Sequence, residues 1–175
     1  QHFSMVFQVA KDAKFMDEKI KAVHVSFGLV MGSDGKKLAS REGKAITLEE
    51  LLEESVNRAE KLILEKNSSM SDSDRKKVSK MIGIGAIKYA DLSIDRNKNY
   101  VFDWDKMLSF DGNTAPYLQY AHARICSIFR KSSISRESTF NSEILVVNDF
   151  EKSLSKSIIG FSESIDETIN SYSPH

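Results

Sequence analysis

At 175 residues, with 41% apolar and 29% charged side chains, the chain is long enough for one domain or two small ones and too apolar to be disordered as a whole. Its 25 basic residues balance 25 acidic ones, which removes bulk positive charge as a driver of nucleic-acid or membrane binding while permitting local patches. A single cysteine, Cys126, excludes an internal disulfide framework and fits a reducing compartment, and the longest apolar runs, Phe27–Met31 and Ile144–Val147, fall far short of the roughly 20 residues of a membrane span. A soluble globular chain is expected, and because it starts at Gln1 and stops at His175 inside a helical pattern, it reads as a piece of a longer protein.

In chain order, Phe3, Phe7, Ala10 and Lys14 fall at helical spacing and predict a helix over residues 2–15. Val23, Val25, Phe27 and Leu29 then alternate with His24, Ser26 and Gly28, the period of a strand. Turn residues Gly32–Gly35 and Glu42–Lys44 flank a basic stretch, so residues 32–44 predict a cationic loop. Thr47-Leu48-Glu49-Glu50 is a capping box that starts a helix running to about Lys66, with Leu51/Leu52, Ser55/Val56, Ala59 and Leu62/Ile63 as its buried stripe and a Glu54–Arg58 pair on its surface.

Ser71 and Asp74 suit the start of a second helix that buries Val78, Met81/Ile82, Gly85, Ala86, Tyr89 and Ala90. Gly83 and Gly85 lie inside it, each unfavourable by about 1 kcal/mol relative to Ala, and so predict close approach of another backbone. Residues 100–120 hold six of the 16 aromatic side chains, and Asp103-Trp104-Asp105 predicts a turn and packing anchor. Thr114-Ala115-Pro116 opens a helix whose expected buried side is Leu118, Ala121/His122, Ile125 and Ile128/Phe129, with Cys126 as a small buried hydrophobe. A polar loop follows over 132–142, and one last helix, capped near Asn148 or Asp149, carries Phe150, Leu154, Ile158, Phe161, Ile165 and Ile169 on its apolar side. Residues 67–145 carry 12 basic against 9 acidic side chains, whereas 146–175 carry 2 against 5, a basic bias that permits contact with nucleic acid. The four histidines, at 2, 24, 122 and 175, lack a second ligand at metal spacing, so no structural metal site is expected.

Two stretches together carry a family likeness. The first is His24-Val25-Ser26-Phe27-Gly28-Leu29-Val30-Met31-Gly32-Ser33-Asp34-Gly35-Lys36-Lys37-Leu38-Ala39-Ser40-Arg41-Glu42-Gly43; the second runs from Gly83-Ile84-Gly85-Ala86 through Tyr100-Val101-Phe102-Asp103-Trp104-Asp105 to Asn113-Thr114-Ala115-Pro116-Tyr117-Leu118-Gln119-Tyr120-Ala121-His122-Ala123-Arg124. Over nearly the whole chain this pattern resembles arginyl-tRNA synthetase, a class I aminoacyl-tRNA synthetase. The resemblance implies a mainly α-helical structure: a helical bundle of the anticodon-binding type, preceded by a small α/β remnant of the Rossmann-like catalytic domain. Residues 1–109 would be the C-terminal part of the catalytic domain with its signature loop and connecting helices, and 110–175 the N-terminal part of the anticodon-binding domain.

The implied activity of the complete protein is that of a ligase in the cytoplasm that joins arginine to tRNA(Arg) through an arginyl-adenylate made from ATP with Mg2+. Lacking a His-x-Gly-His pattern, the chain alone is expected to be inactive. Lys37-Leu38-Ala39-Ser40-Arg41 stands at the place of the class I signature, with Ser40 where the class pattern has its second Lys. The resemblance assigns Lys37, assisted by Lys36 and Arg41, to the charge that develops on the phosphates, and Gly28, Gly35 and Ser40 to ATP. By spacing alone, the same cations would simply solvate a surface loop.

Tyr117, Tyr120 and Arg124 lie along one helical face, which by resemblance meets tRNA, with Asn113 beside it. The residues themselves also allow both tyrosines to pack inside a bundle and Asn113 to cap the helix. The alternative function is a non-catalytic helical tRNA-binding or scaffold module derived from a synthetase.

Overall fold

The computed structural model describes residues 2–32, 34–36, 46–140 and 142–175. Its centre is a helical hairpin. Thr47 accepts a hydrogen bond from the Glu50 N–H, and the Glu50 carboxylate accepts one from the Thr47 N–H, so the expected capping box starts α2 (Leu48–Lys66). Ser71 caps α3 (Asp72–Leu92) through the Asp74 N–H. Ser55 of α2 meets Gly83 of α3 while Glu60 meets Arg75, so the two helices run in opposite directions. Between them lie Ala59, Ile63, Ile82, Ala86 and Ile87, joined from the far side by Phe102, Met107 and Leu108.

The stripe on α3 differs from the expected one. Ser79, Ile82, Gly83, Ala86 and Ile87 are buried, whereas Met81 is 68% exposed. The reason is at Gly83, where an added Cβ would lie 2.7–2.8 Å from the Val56 N, Ser55 C and Val56 Cα atoms, so the small residues face α2 and turn Met81 outward. At Gly85 the predicted backbone neighbour is instead a side chain, Gln119.

The hairpin connects two short parallel strands, β1 (Val30–Met31) and β2 (Tyr100–Val101), in the register Val30 to Tyr100 and Met31 to Val101. The strand expected over 23–29 is not formed. That segment instead lies beside a turn, donating from Gly28 N to the Arg96 carbonyl at 2.6 Å and from Leu29 N to the Asn99 side chain at 2.7 Å, and a turn has no ladder to offer. Before it, α1 (His2–Asp12) ends short of Phe15 because Lys14 adopts a left-handed φ of 58° and Phe15 N bonds back to the Ala10 carbonyl, closing a Schellman turn.

After β2, Asp103 caps the single turn α4 (Trp104–Met107), and Trp104 meets Phe102 edge-on, the predicted turn and packing anchor. Thr114 caps α5 (Ala115–Ser132). Only Ala115 and Pro116 of α5 are buried, against α3; Leu118, Ile125 and Ile128 are 50–60% exposed, because nothing among the described residues covers that side. Cys126 is half-buried, and His122, expected to be packed, is exposed with Nε2 at 3.5 Å from its sulfur. The predicted polar loop contains a short helix, α6 (Arg136–Thr139), capped by Ser135. The single last helix is two, α7 (Asp149–Ile159) and α8 (Phe161–Ser171), divided at Gly160, the residue with least helical preference in the run. Asn148, one of the two expected caps, starts α7, and Glu151 completes a capping box with it. The architecture is mainly α-helical with a minimal α/β element, and no described helix is long and apolar enough to cross a membrane.

Candidate functional site

The predicted cationic loop leaves from β1. At its start, Gly32 N donates to the Lys36 carbonyl at 2.7 Å and Gly35 N donates to the Gly32 carbonyl at 3.0 Å. The Asp34 carboxylate accepts from Lys36 N at 3.0 Å. Gly35 takes a φ of +72°, the left-handed conformation that makes glycine the fitting residue here, and Lys36 emerges exposed. The remaining loop candidates, Lys37, Ser40 and Arg41, lie outside the described residues. At the far end Thr47 fastens the chain to α2, and its N–H and its hydroxyl both donate to the Glu50 carboxylate and hold that carboxyl below its ordinary range.

Gly28 has a structural task of its own. Its N–H is taken by the Arg96 carbonyl, and the space a Cβ would need is filled by the Lys98 carbonyl and Asn99 N. This close approach sets the path of residues 29–31 into the loop. Beside them, Tyr100 directs its hydroxyl at Asp91 at 3.4 Å, and burial, reinforced by the carboxylate, pushes its pKa up to about 12.

The second candidate group sits on α5. Tyr117 and Tyr120 are 45% and 50% exposed, so neither is packed inside the bundle, and Arg124 Nη1 lies 3.5 Å from the Tyr120 hydroxyl. Asn113 is not the helix cap, a role taken by Thr114; its side-chain oxygen accepts a hydrogen bond from the Tyr89 hydroxyl. Gln119, on the same helix, donates to the Met81 carbonyl at 3.1 Å, so α5 is tied to α3 at two places. No hydrogen bond or ion pair among the described residues joins Gly28, Gly35 or Lys36 to Asn113, Tyr117, Tyr120 or Arg124; the two groups share the α2–α3 hairpin as a frame.

A third feature escapes sequence reading. Arg58 lies over the Trp104 ring at 4.8 Å and Lys66 over the Phe110 ring at 5.5 Å, flanking a cavity of about 430 Å³ that Lys61 and Asp105 also line. The cations come from α2 and the rings from beyond β2, so only folding brings them together. Among the described residues no group of three His, Cys, Asp or Glu side chains is arranged to hold a metal ion.

Comparison with known proteins places these features in a family. Residues 1–104 match the family model described as tRNA synthetases class I (R), catalytic domain, and residues 118–175 match the DALR anticodon binding domain. The chain is 44% identical over 174 residues to the arginine–tRNA ligase of Cellvibrio japonicus, covering 99% of this chain and 30% of that protein. It is 42% identical to that of Chromobacterium violaceum, covering 100% of this chain and 30% of the relative. Among solved structures, the arginyl-tRNA synthetase of Plasmodium falciparum superposes with a TM-score of 0.78 at 31% identity over 97% of this chain and 28% of that one. The Thermus thermophilus arginyl-tRNA synthetase gives a TM-score of 0.68 at 29% identity over 87% of this chain and 24% of that one. The chain thus spans 30% of the length of these curated relatives. With the catalytic-domain model matched over residues 1–104 and the anticodon-binding model over residues 118–175, the chain belongs to the class I arginyl-tRNA synthetase family.

Proposed function

We propose that this chain is part of an arginine–tRNA ligase that acts in the cytoplasm, activating arginine with ATP and Mg2+ to arginyl-adenylate and transferring it to tRNA(Arg). The observation that carries the reading is the mounting of two groups on one hairpin: the start of a cationic loop beside β1 and an exposed Tyr117–Tyr120–Arg124 face on α5. The non-catalytic scaffold alternative is not favoured by relatives named as ligases.

In adenylate formation the arginine carboxylate attacks the α-phosphorus of ATP and pyrophosphate leaves, so negative charge grows on the phosphate oxygens. Cations aimed at those oxygens lower the barrier only if they are held where that charge develops. Lys37 makes the main contact in this reading, with Lys36 and Arg41 assisting. Ser40 contacts the nucleotide in this reading, while Gly35 and Gly28 serve it chiefly by shaping backbone, since the Gly28 N–H is already engaged by Arg96. Mg2+ would be held by the oxygens of the nucleotide's phosphates and would supply positive charge there. On α5, Tyr117 and Tyr120 offer rings for stacking and Arg124 a guanidinium for phosphate, while Asn113 fixes the helix entry through Tyr89.

We draw the domain boundary at residues 109 and 110, a division supported by the interval between the two matched regions, 1–104 and 118–175. The test is arginine-dependent ATP–pyrophosphate exchange by the complete protein with tRNA present. Lys37→Ala should lower kcat by on the order of 10²-fold. Wild-type exchange in that variant would remove the assignment.

A further inference from the structure

The turn between α3 and β2 places Arg96 where three distant parts of the chain meet. Its carbonyl accepts from Gly28 N at 2.6 Å, and its guanidinium donates from Nη1 to the Ser26 carbonyl at 3.0 Å. The other nitrogens reach the end of the chain: Nε donates to the Tyr172 carbonyl at 2.9 Å and Nη2 to the Ser171 carbonyl at 3.4 Å. Ser171 is the last residue of α8 and Tyr172, at a φ of 54°, is its cap. Carbonyls at a helix C-terminus have no intrahelical donor and carry the negative end of the helix dipole, so a planar guanidinium satisfies both their hydrogen bonding and their charge. Lys21 adds a second cation, 5.8 Å from the Tyr172 ring.

This contact matters because α7 and α8 have little else to hold them. Neither helix buries a residue, and among the described residues the hydrogen bonds that tie this pair to residues 1–109 come from Arg96. On the other side of the guanidinium, Ser26 leads within six residues through β1 to the Gly32 turn. We propose that Arg96 is a positioning residue, a latch that fixes the end of α8 to the Ser26–Gly28 segment so that the helices after α5 and the start of the cationic loop are held as one body. In this role it is assigned no contact with substrate or phosphate; it acts by holding the start of the loop in register with the end of α8.

The functional consequence rests on the ligase reading, whereas the latch itself does not, and two measurements separate them. In the complete protein, Arg96→Met should speed hydrogen exchange at the Tyr172 and Ser173 amides by about tenfold. It should also lower kcat for ATP–pyrophosphate exchange by about tenfold, with tRNA binding by filter assay kept within about twofold of wild type. Arg96→Lys keeps the charge but not the fork, and should fall between the two. Unchanged protection of those amides overturns the latch. Unchanged kcat, or a kcat that falls only in step with thermal stability and tRNA affinity, overturns the positioning role. Absence of arginine-dependent exchange in the wild-type protein would instead refute the ligase reading, and the amide measurement would still decide the latch.

Discussion

Replacing Gly83 by Ala tests how closely the hairpin is packed. In the middle of a 21-residue helix, propensity alone predicts that the change stabilises by about 1 kcal/mol. The structure predicts the opposite. The new Cβ would sit 2.7 Å from Val56 N and 2.8 Å from Ser55 C, atoms of a helical backbone that cannot rotate away. To restore contacts of ordinary length, α2 and α3 must part by roughly 0.7 Å at their closest point. Overpacking of this kind costs about 1–3 kcal/mol. Separation also stretches the 2.8 Å bond from the fully buried Ser55 hydroxyl to the Gly83 carbonyl, a further loss of about 1 kcal/mol. With the propensity gain subtracted, the net loss is about 2 kcal/mol, which for a chain of this size lowers Tm by about 4–8 °C. Thermal unfolding followed by circular dichroism measures this directly. Gly85→Ala is the control: its Cβ meets the tip of the Gln119 side chain, which can swing aside by giving up its bond to the Met81 carbonyl, a loss of about 1 kcal/mol that offsets the similar gain in helix propensity, so stability should stay within about 0.5 kcal/mol of wild type. A Gly83→Ala protein as stable as wild type, or more so, would refute the close-packing argument.

Thr47→Ala removes the hydroxyl that accepts from Glu50 N at the start of α2 and should destabilise by about 1 kcal/mol in the same assay. Because Thr47 holds the Glu50 carboxyl below its ordinary range, the contribution of Glu50 is present above about pH 4.5 and lost as pH falls through the lowered value; the stability gap between wild type and Glu50→Gln should therefore close in acid. Tyr100 has the opposite sign: its pKa is raised from 10.0 to about 12, so its contribution is complete below pH 10 and disappears as pH rises through about 12. In a phenolate absorbance titration of the folded protein, Tyr100→Phe should remove a group that ionises near 12, and loss of one ionising near 10 would contradict the environment described for it.

Much of the helical frame was legible because its signals are local. The Thr47–Glu50 and Asn148–Glu151 capping boxes, Ser71 and Thr114-Ala115-Pro116 each announce a helix start through hydrogen bonds made within three residues. Failures came where the deciding neighbour is distant in sequence. The alternation at Val23–Leu29 has the right period for a strand, but its partner at residues 95–99 is a turn, which no pattern within 23–29 records. Apolar periodicity on α5 and α8 marks faces that are exposed here, since periodicity shows that a face is apolar and not what covers it. Arg96 carried no signal at all: an arginine in a polar turn reads as a solvated charge until Ser26 and Tyr172 are folded against it.

The shared frame has a mechanical consequence. The cationic stretch is anchored at both ends, by β1 pairing with β2 before it and by the Thr47 cap after it, and both anchors belong to the unit that α2 and α3 complete. Helix α5 is fixed to the same unit through Gln119 on the Met81 carbonyl and Tyr89 on Asn113, and α8 through Arg96. Changes in the spacing of α2 and α3 are therefore felt at the loop and at α5 together, whereas breaking the Gln119 contact loosens α5 alone and breaking the Arg96 contact loosens α8 alone while the hairpin stays intact. Substitutions in the hairpin core should lower stability and tRNA-dependent activity in parallel, and substitutions at the two joints should lower activity more than stability.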